Sequence, residues 1–168
     1  MPKIIENLES RLIEEAKKQI EEAGYGAVTI RSVAKKCGVG VGTVYNYFAS
    51  KEDLIATHLL TDWNQCVTAI NAVSTYSDSP RPVALCIYDQ LTSFAARHAA
   101  IFRDEAAIAS FSGSFGKYHC MLRGQLAQPL RKFCQSDFTA EFLAEALLTW
   151  TMAGKSFDEL YGMMEKHF

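Results

Sequence analysis

The stretch Thr29-Ile-Arg-Ser-Val-Ala-Lys-Lys-Cys-Gly-Val-Gly-Val-Gly-Thr-Val-Tyr-Asn-Tyr-Phe48 constrains this chain more than any other. Thr29 is a good N-cap, because its hydroxyl accepts a hydrogen bond from a backbone N–H two or three residues on. Ile30, Val33, Ala34 and Cys37 then recur at i, i+3, i+4 and i+7, the apolar stripe of an amphipathic helix. Gly38 stands where that helix should stop, and glycine takes a left-handed φ without a Cβ penalty. Val39 plugs the corner and Gly40 opens a second helix. Two short helices about a tight turn make a helix-turn-helix, whose second helix can enter a DNA major groove.

At about 100° per residue, Val41, Val44, Tyr45 and Phe48 fall on one side of the second helix and should pack on the first. Gly42, Thr43, Asn46 and Tyr47 fall on the other and point outward. Arg31, Lys35, Lys36 and Lys51 lie between Ala23 and the start of the next helix, with no acidic residue among them. Local positive charge beside a small polar face suits a phosphate backbone. The outer face has no Arg, Lys or Gln, the long readers of guanine and adenine. Direct readout should be modest, and DNA shape and dimer spacing should carry more of the specificity.

The run Tyr45-Asn-Tyr-Phe-Ala-Ser-Lys-Glu-Asp-Leu54, after Val-Gly-Val-Gly-Thr-Val, resembles the DNA-binding domain of the TetR/AcrR family of transcriptional regulators, over about residues 5–60. The resemblance implies that Tyr45, Tyr47 and Lys51 bind backbone phosphates. It implies phosphate or flanking-base contacts for Thr29 and Arg31, and a thymine methyl within reach of Val41. From their own chemistry, Gly42 lets the backbone approach the base edges, Thr43 offers a hydroxyl and a methyl, and Asn46 points outward and can serve either way. The family further implies a homodimer on a palindromic double-stranded DNA operator, with repression as the usual mode. It also implies an unidentified small-molecule effector held in the C-terminal bundle.

The rest of the chain is consistent with an all-α protein. Its 168 residues suit one or two small domains, and 49% hydrophobic with 21% charged residues is an ordinary soluble composition. Pro2 stands at the start and Pro80 and Pro82 share one short stretch, which leaves most of the chain free to be helical. The net charge of −2 is unevenly placed: the first helix is acidic and the stretch after it basic. No run of eighteen apolar residues exists and no signal peptide opens the chain, so the expected location is cytoplasmic, away from any membrane. Cys37, Cys66, Cys86, Cys120 and Cys134 are odd in number, widely spaced and without C-x-x-C, which reads as buried small hydrophobes.

Catalysis finds no motif. There is no G-x-S-x-G, no H-E-x-x-H and no dinucleotide fingerprint. Gly38-Val-Gly-Val-Gly42 follows a helix rather than a strand and lacks the G-K-[ST] ending of a phosphate loop. Asp104-Glu105 and Asp158-Glu159 are adjacent acids that diverge on a helix. His58, His98, His119 and His167 are scattered without ligand spacing, so neither metal nor cofactor is expected; a metal site assembled from distant positions stays open.

The expected layout is a helix-turn-helix domain over 1–50 and a helical ligand-binding and dimerisation domain over 51–168. The first helix should span 3–24, with Ile5 in its stripe and Lys3 near a neighbouring phosphate. A connecting helix of some 23 residues, 51–73, would be about 35 Å long. Further helices are expected at 82–98, 99–111, 117–134 (kinked or broken at Pro129), 139–154 and 157–166. Trp63, Cys66, Phe94, His98, Phe111, Tyr118, Met121 and Trp150 are candidate linings of an effector cavity, whose apolar character favours a hydrophobic or aromatic ligand. The helix 139–154 is apolar nearly all round and must be buried on several sides. With the last helix it suggests a two-fold interface of Phe142, Leu143, Leu147, Trp150, Phe157, Leu160, Tyr161 and Met164. Two other readings stay open: a helical interaction protein that has lost DNA binding, and a small-molecule-binding helical protein or enzyme.

Overall fold

A computed structural model describes residues 7–168 of the chain. The first turn of the expected helix 3–24, with Lys3 and Ile5, lies outside the described residues. Among those described, helices α1 (Leu8–Ala23), α2 (Ile30–Cys37), α3 (Val41–Tyr45), α4 (Lys51–Tyr76), α5 (Pro80–Arg97), α6 (Ala99–Phe102), α7 (Glu105–Phe111), α8 (Phe115–Leu130), α9 (Asp137–Met152) and α10 (Phe157–Met164) follow one another through turns and short 3₁₀ segments, with no strand. The architecture is all-α, as expected.

The chain divides into two compact units. One holds the residues up to Thr61 together with His98–Ser112; the other holds Asp62–Arg97 and Gly113–Phe168. This differs from a division at residue 50. The first turns of α4 place Leu54 and Ile55 in the same core as α1–α3, and Ile101 and Ala107 of α6 and α7 join them there. Helix α4 itself is continuous and three residues longer than expected at its end.

In the first unit, Leu8, Leu12, Ala16 and Ile20 of α1 face Val33 and Ala34 of α2, Val44 of α3 and Phe48. Tyr25, in a 3₁₀ turn, is buried at the centre and packs against Phe111, ring centroids 6.1 Å apart. The helix expected over 99–111 is broken in two. Asp104 leaves the helical conformation and its carboxylate accepts from the N–H groups of Ala106 (2.9 Å) and Ala107 (3.1 Å), so it starts α7 rather than continuing α6.

In the second unit, α9 packs on α5, α8 and α10. Its core joins Trp63, Cys66 and Ile70 of α4 with Val83, Ile87 and Leu91 of α5, Leu126 and Leu130 of α8, and Leu143, Leu147 and Leu148 of α9. Pro129 lies where the helix expected over 117–134 breaks into two pieces. It stands one residue before the end of α8, where the backbone tightens into a 3₁₀ turn over Arg131–Phe133, and its carbonyl accepts from the Ser74 hydroxyl at 3.1 Å.

The proposed two-fold interface is corrected here. Leu143, Leu147, Phe157, Leu160, Tyr161 and Met164 are buried in the core of the second unit. Of the eight expected residues only Phe142 (58% exposed) and Trp150 (50%) face outward. An all-apolar helix has no unique inner side by periodicity. The neighbouring helices α5 and α8 take the side of Ala140, Leu143, Ala144 and Leu147, which leaves Phe138, Phe142 and Trp150 outside. Helix α10 is amphipathic, and its apolar stripe serves the same core.

Candidate nucleic-acid interface

The first unit builds a polar, basic surface from the caps of two short helices. Thr29 and Ser32 form a reciprocal capping box: the Ser32 N–H donates to Thr29 Oγ1 and the Thr29 N–H donates to Ser32 Oγ, each at 3.0 Å. The box satisfies two of the free donors at the start of α2. Helix α2 ends at Gly38 with φ 71° and ψ 31°. There the Gly38 N–H donates to the Lys35 carbonyl (3.3 Å) and the Val39 N–H to the Ala34 carbonyl (3.0 Å), the Schellman closure that a left-handed residue permits. Arg11 of α1 donates to the Cys37 carbonyl at 3.2 Å and ties the end of α2 down.

Helix α3 is shorter than the expected 40–48. It runs only over Val41–Tyr45, after which Asn46 and Tyr47 turn out through i→i−3 bonds to Thr43 and Val44. This changes which residues face out. Val44 and Phe48, one turn apart, are buried, whereas Val41 is 36% and Tyr45 54% exposed. The expectation that Val41 and Tyr45 pack on α2 is therefore corrected: so short a helix buries one turn-spaced pair, and its start and end project. Gly42, Asn46 and Tyr47 are exposed and Thr43 half-buried. A Cβ at Gly42 would meet nothing within 4 Å, so this glycine leaves open space beside the backbone.

Thr29, Arg31, Lys35 and Lys36 are exposed on and beside α2. Lys35 and Lys36 carry the positive charge noted from the sequence but were absent from the expected contact set; their exposure puts them beside it.

Lys51 is placed otherwise than expected. Its ammonium donates to the Tyr25 carbonyl and lies 3.7 Å from the centroid of the Tyr25 ring. The side chain is half-buried, and loss of water around the charge pulls its pKa below the usual lysine value, opposed by the nearby Glu52 and Asp104 carboxylates. Lys51 therefore braces the start of α4 from inside rather than standing free for a phosphate. Glu52 accepts from the Tyr25 hydroxyl at 3.2 Å. Backbone N–H donation, then the Ser50 and Tyr25 hydroxyls and the Lys51 charge, hold its carboxyl below the usual range against desolvation. Ser50 and Asp53 cap α4: the Asp53 N–H donates to Ser50 Oγ (3.1 Å) and the Ala49 N–H to Asp53 Oδ2 (2.8 Å).

The eight residues expected around an effector are divided between the two units. Trp63, Cys66 and Phe94 share the core of the second unit, with the Phe94 ring edge-on to Trp63 at 5.4 Å and the Trp63 indole N–H donating to Gln125 at 2.6 Å. Tyr118 and Met121 are half-buried on α8, and Trp150 is exposed. Phe111 and His98 belong to the first unit, where His98 lies against His58. A polar cleft of about 320 Å³ in the second unit is lined by Asn71, Ser74, Thr75, Gln128, Pro129 and Lys132, none of them in the expected set.

Residues 12–57 match the family model of bacterial regulatory proteins of the tetR family. The HTH-type transcriptional regulator YuxN of Bacillus subtilis (strain 168) is 36% identical over 73 residues, which covers 44% of this chain and 25% of that protein. The chain thus spans only a quarter of that relative's length. Two solved structures are alike over nearly their whole length. SCO7518 from Streptomyces coelicolor A3(2) superposes with a TM-score of 0.72 at 14% identity, covering 95% of this chain and 97% of that one. The TetR family repressor AlkX from Dietzia sp. strain DQ12-45-1b does so with a TM-score of 0.65 at 16% identity, covering 92% of each. At such identities the likeness speaks to the fold. The capping box, the Gly38 turn and the short helix α3 all lie inside the segment, residues 12–57, that matches the tetR family model.

Proposed function

We propose that the protein is a sequence-specific DNA-binding transcriptional regulator, not an enzyme, that acts as a homodimer on a palindromic operator. The observation that carries this reading is the surface of α3: Val41, Gly42, Tyr45, Asn46 and Tyr47 exposed around a buried Val44–Phe48 pair, flanked by Thr29, Arg31, Lys35 and Lys36. The start of α3 supplies base contacts through Thr43, Gly42 and Val41. Tyr45, Tyr47 and the α2 residues hold the phosphates and set the register.

The dimer reading rests on α9 and α8. Phe138 (76% exposed), Phe142 and Trp150 give α9 an outward aromatic face, and Phe115 of α8 is 66% exposed. His119 and Arg123 of α8 pair with Glu145 of α9 at 2.9 and 3.7 Å, a polar rim on the two helices that carry these rings. A second copy of the chain would cover this face two-fold symmetrically. Repression, and release by a hydrophobic or aromatic molecule held near Trp63, Cys66 and Phe94, follow the family's usual mode. Among the described residues no helix is long and apolar enough to cross a membrane, which agrees with work on cytoplasmic DNA.

The test is a footprint with DNA from upstream of the protein's own gene. Protection of two half-sites about one helical turn apart, or a multiple of it, is expected. Binding with no sequence preference, or none at all, would favour a helical interaction or ligand-binding protein instead.

A further inference from the structure

We propose that His58, Asp62 and His98 form a binding site for one divalent transition-metal ion of the zinc type. His58 lies on α4, and Asp62 follows one turn later on the same uninterrupted helix. His98 immediately precedes α6 as its N-cap. One ligand atom from each of the three lies within 4.8 Å of the other two. Both histidines are buried, at 5% and 3% exposure, and their rings meet edge-on with centroids 5.1 Å apart and planes at 74°. None of the three takes part in the DNA-facing surface.

The donor set selects the ion. Two imidazole nitrogens and one carboxylate oxygen suit zinc and its first-row neighbours, whereas calcium and magnesium prefer all-oxygen shells. Around a tetrahedral ion with bonds of about 2.0–2.1 Å the donors stand about 3.4 Å apart. The cluster reaches that spacing by tightening through side-chain rotation. Three protein ligands leave a fourth position for water or an outside donor. The His-x-x-x-Asp spacing on α4 is visible in the sequence, but His98 is forty positions away and only the fold brings it in. A polar cluster of purely structural use makes a different forecast: its variants change stability, and added zinc does nothing.

The experiment uses the full chain stripped with EDTA, titrated with zinc chloride by calorimetry and with cobalt chloride by visible absorption, beside thermal melts. Expected are one zinc per chain, a cobalt d–d band, and a melting temperature raised by zinc and not by magnesium. Asp62→Asn, His58→Gln and His98→Gln should each weaken zinc binding by at least about tenfold. Where a histidine variant fails to fold, Asp62→Asn, at a half-buried position, carries the decision. No zinc binding by the natural chain overturns the proposal. So does zinc bound equally well by Asp62→Asn, which would put the ion at other histidines or the cysteines.

Discussion

The ammonium of Lys51 sits over the ring of Tyr25, 3.7 Å from its centroid, and donates to the carbonyl of the same residue. A contact of this kind joins the start of α4 to the buried turn after α1. Lys51→Ala removes the cation–π contact and leaves the carbonyl without its donor. It should cost about 1–2 kcal/mol of stability, read as a lower urea midpoint at unchanged slope. The salt dependence of operator binding should stay close to that of the natural chain. A slope flatter by about one unit at unchanged stability would place the lysine on a phosphate instead.

Glu52 gives the same region a pH dependence. Its carboxyl titrates below the unfolded value, so its contribution is fully present above that value, near pH 4.3, and is lost as pH falls through the lower folded pKa. Glu52→Gln should flatten the fall in urea midpoint between about pH 5 and 3. An unchanged acid limb would show that the Tyr25–Glu52 bond adds nothing to folding.

Gly38 closes α2 in the left-handed region, at φ 71°. A Cβ there would meet no atom within 4 Å, so a substitution is penalised by backbone conformation alone. Gly38→Ala should destabilise the protein by about 1–2 kcal/mol, measured by denaturant unfolding. Gly42→Ala, in helical backbone with equally open space, should not destabilise it and should act on DNA affinity. Equal stability losses at the two positions would contradict this.

Arg31 and Thr43 separate positioning from reading. Arg31→Ala should weaken binding to all sequences alike and lower the salt slope by about 0.9. Thr43→Ala should cost at most about 1–3 kcal/mol and relax preference at one base pair. Fluorescence anisotropy with operator variants at several salt concentrations reads both. Untouched discrimination in Thr43→Ala would remove this residue from base contact.

Phe142 and Leu147 share α9 but face opposite ways, one 58% exposed and the other fully buried. Phe142→Glu should give a folded monomer, seen as halved mass by light scattering with unchanged circular dichroism. Leu147→Glu should unfold the second unit, because it buries an unpaired charge. A Phe142→Glu protein that stays dimeric would move the two-fold contact off this face.

Local chemistry was legible in the sequence. Thr29 capping α2, Gly38 ending it, Ser50 and Asp53 starting α4, and the all-helical layout all follow from interactions within a few residues of one another, which the order of the chain specifies directly. The break at Asp104 is equally local, because an aspartate inside an apolar-periodic run is also a cap. What depended on distant neighbours was not legible. Tyr45 and Val41 could not be turned outward before α3 was known to be one short turn. The inner side of α9 was undecidable, since apolar residues surround it and only the positions of α5 and α8 choose among them. Lys51 is held by Tyr25, 26 positions earlier, and His98 meets His58 only through the fold. The sequence alone determined where helices begin, end and turn, because caps and left-handed glycines act over one turn of chain. Only the tertiary structure decided which face of each helix meets water, because burial depends on which other segments arrive there.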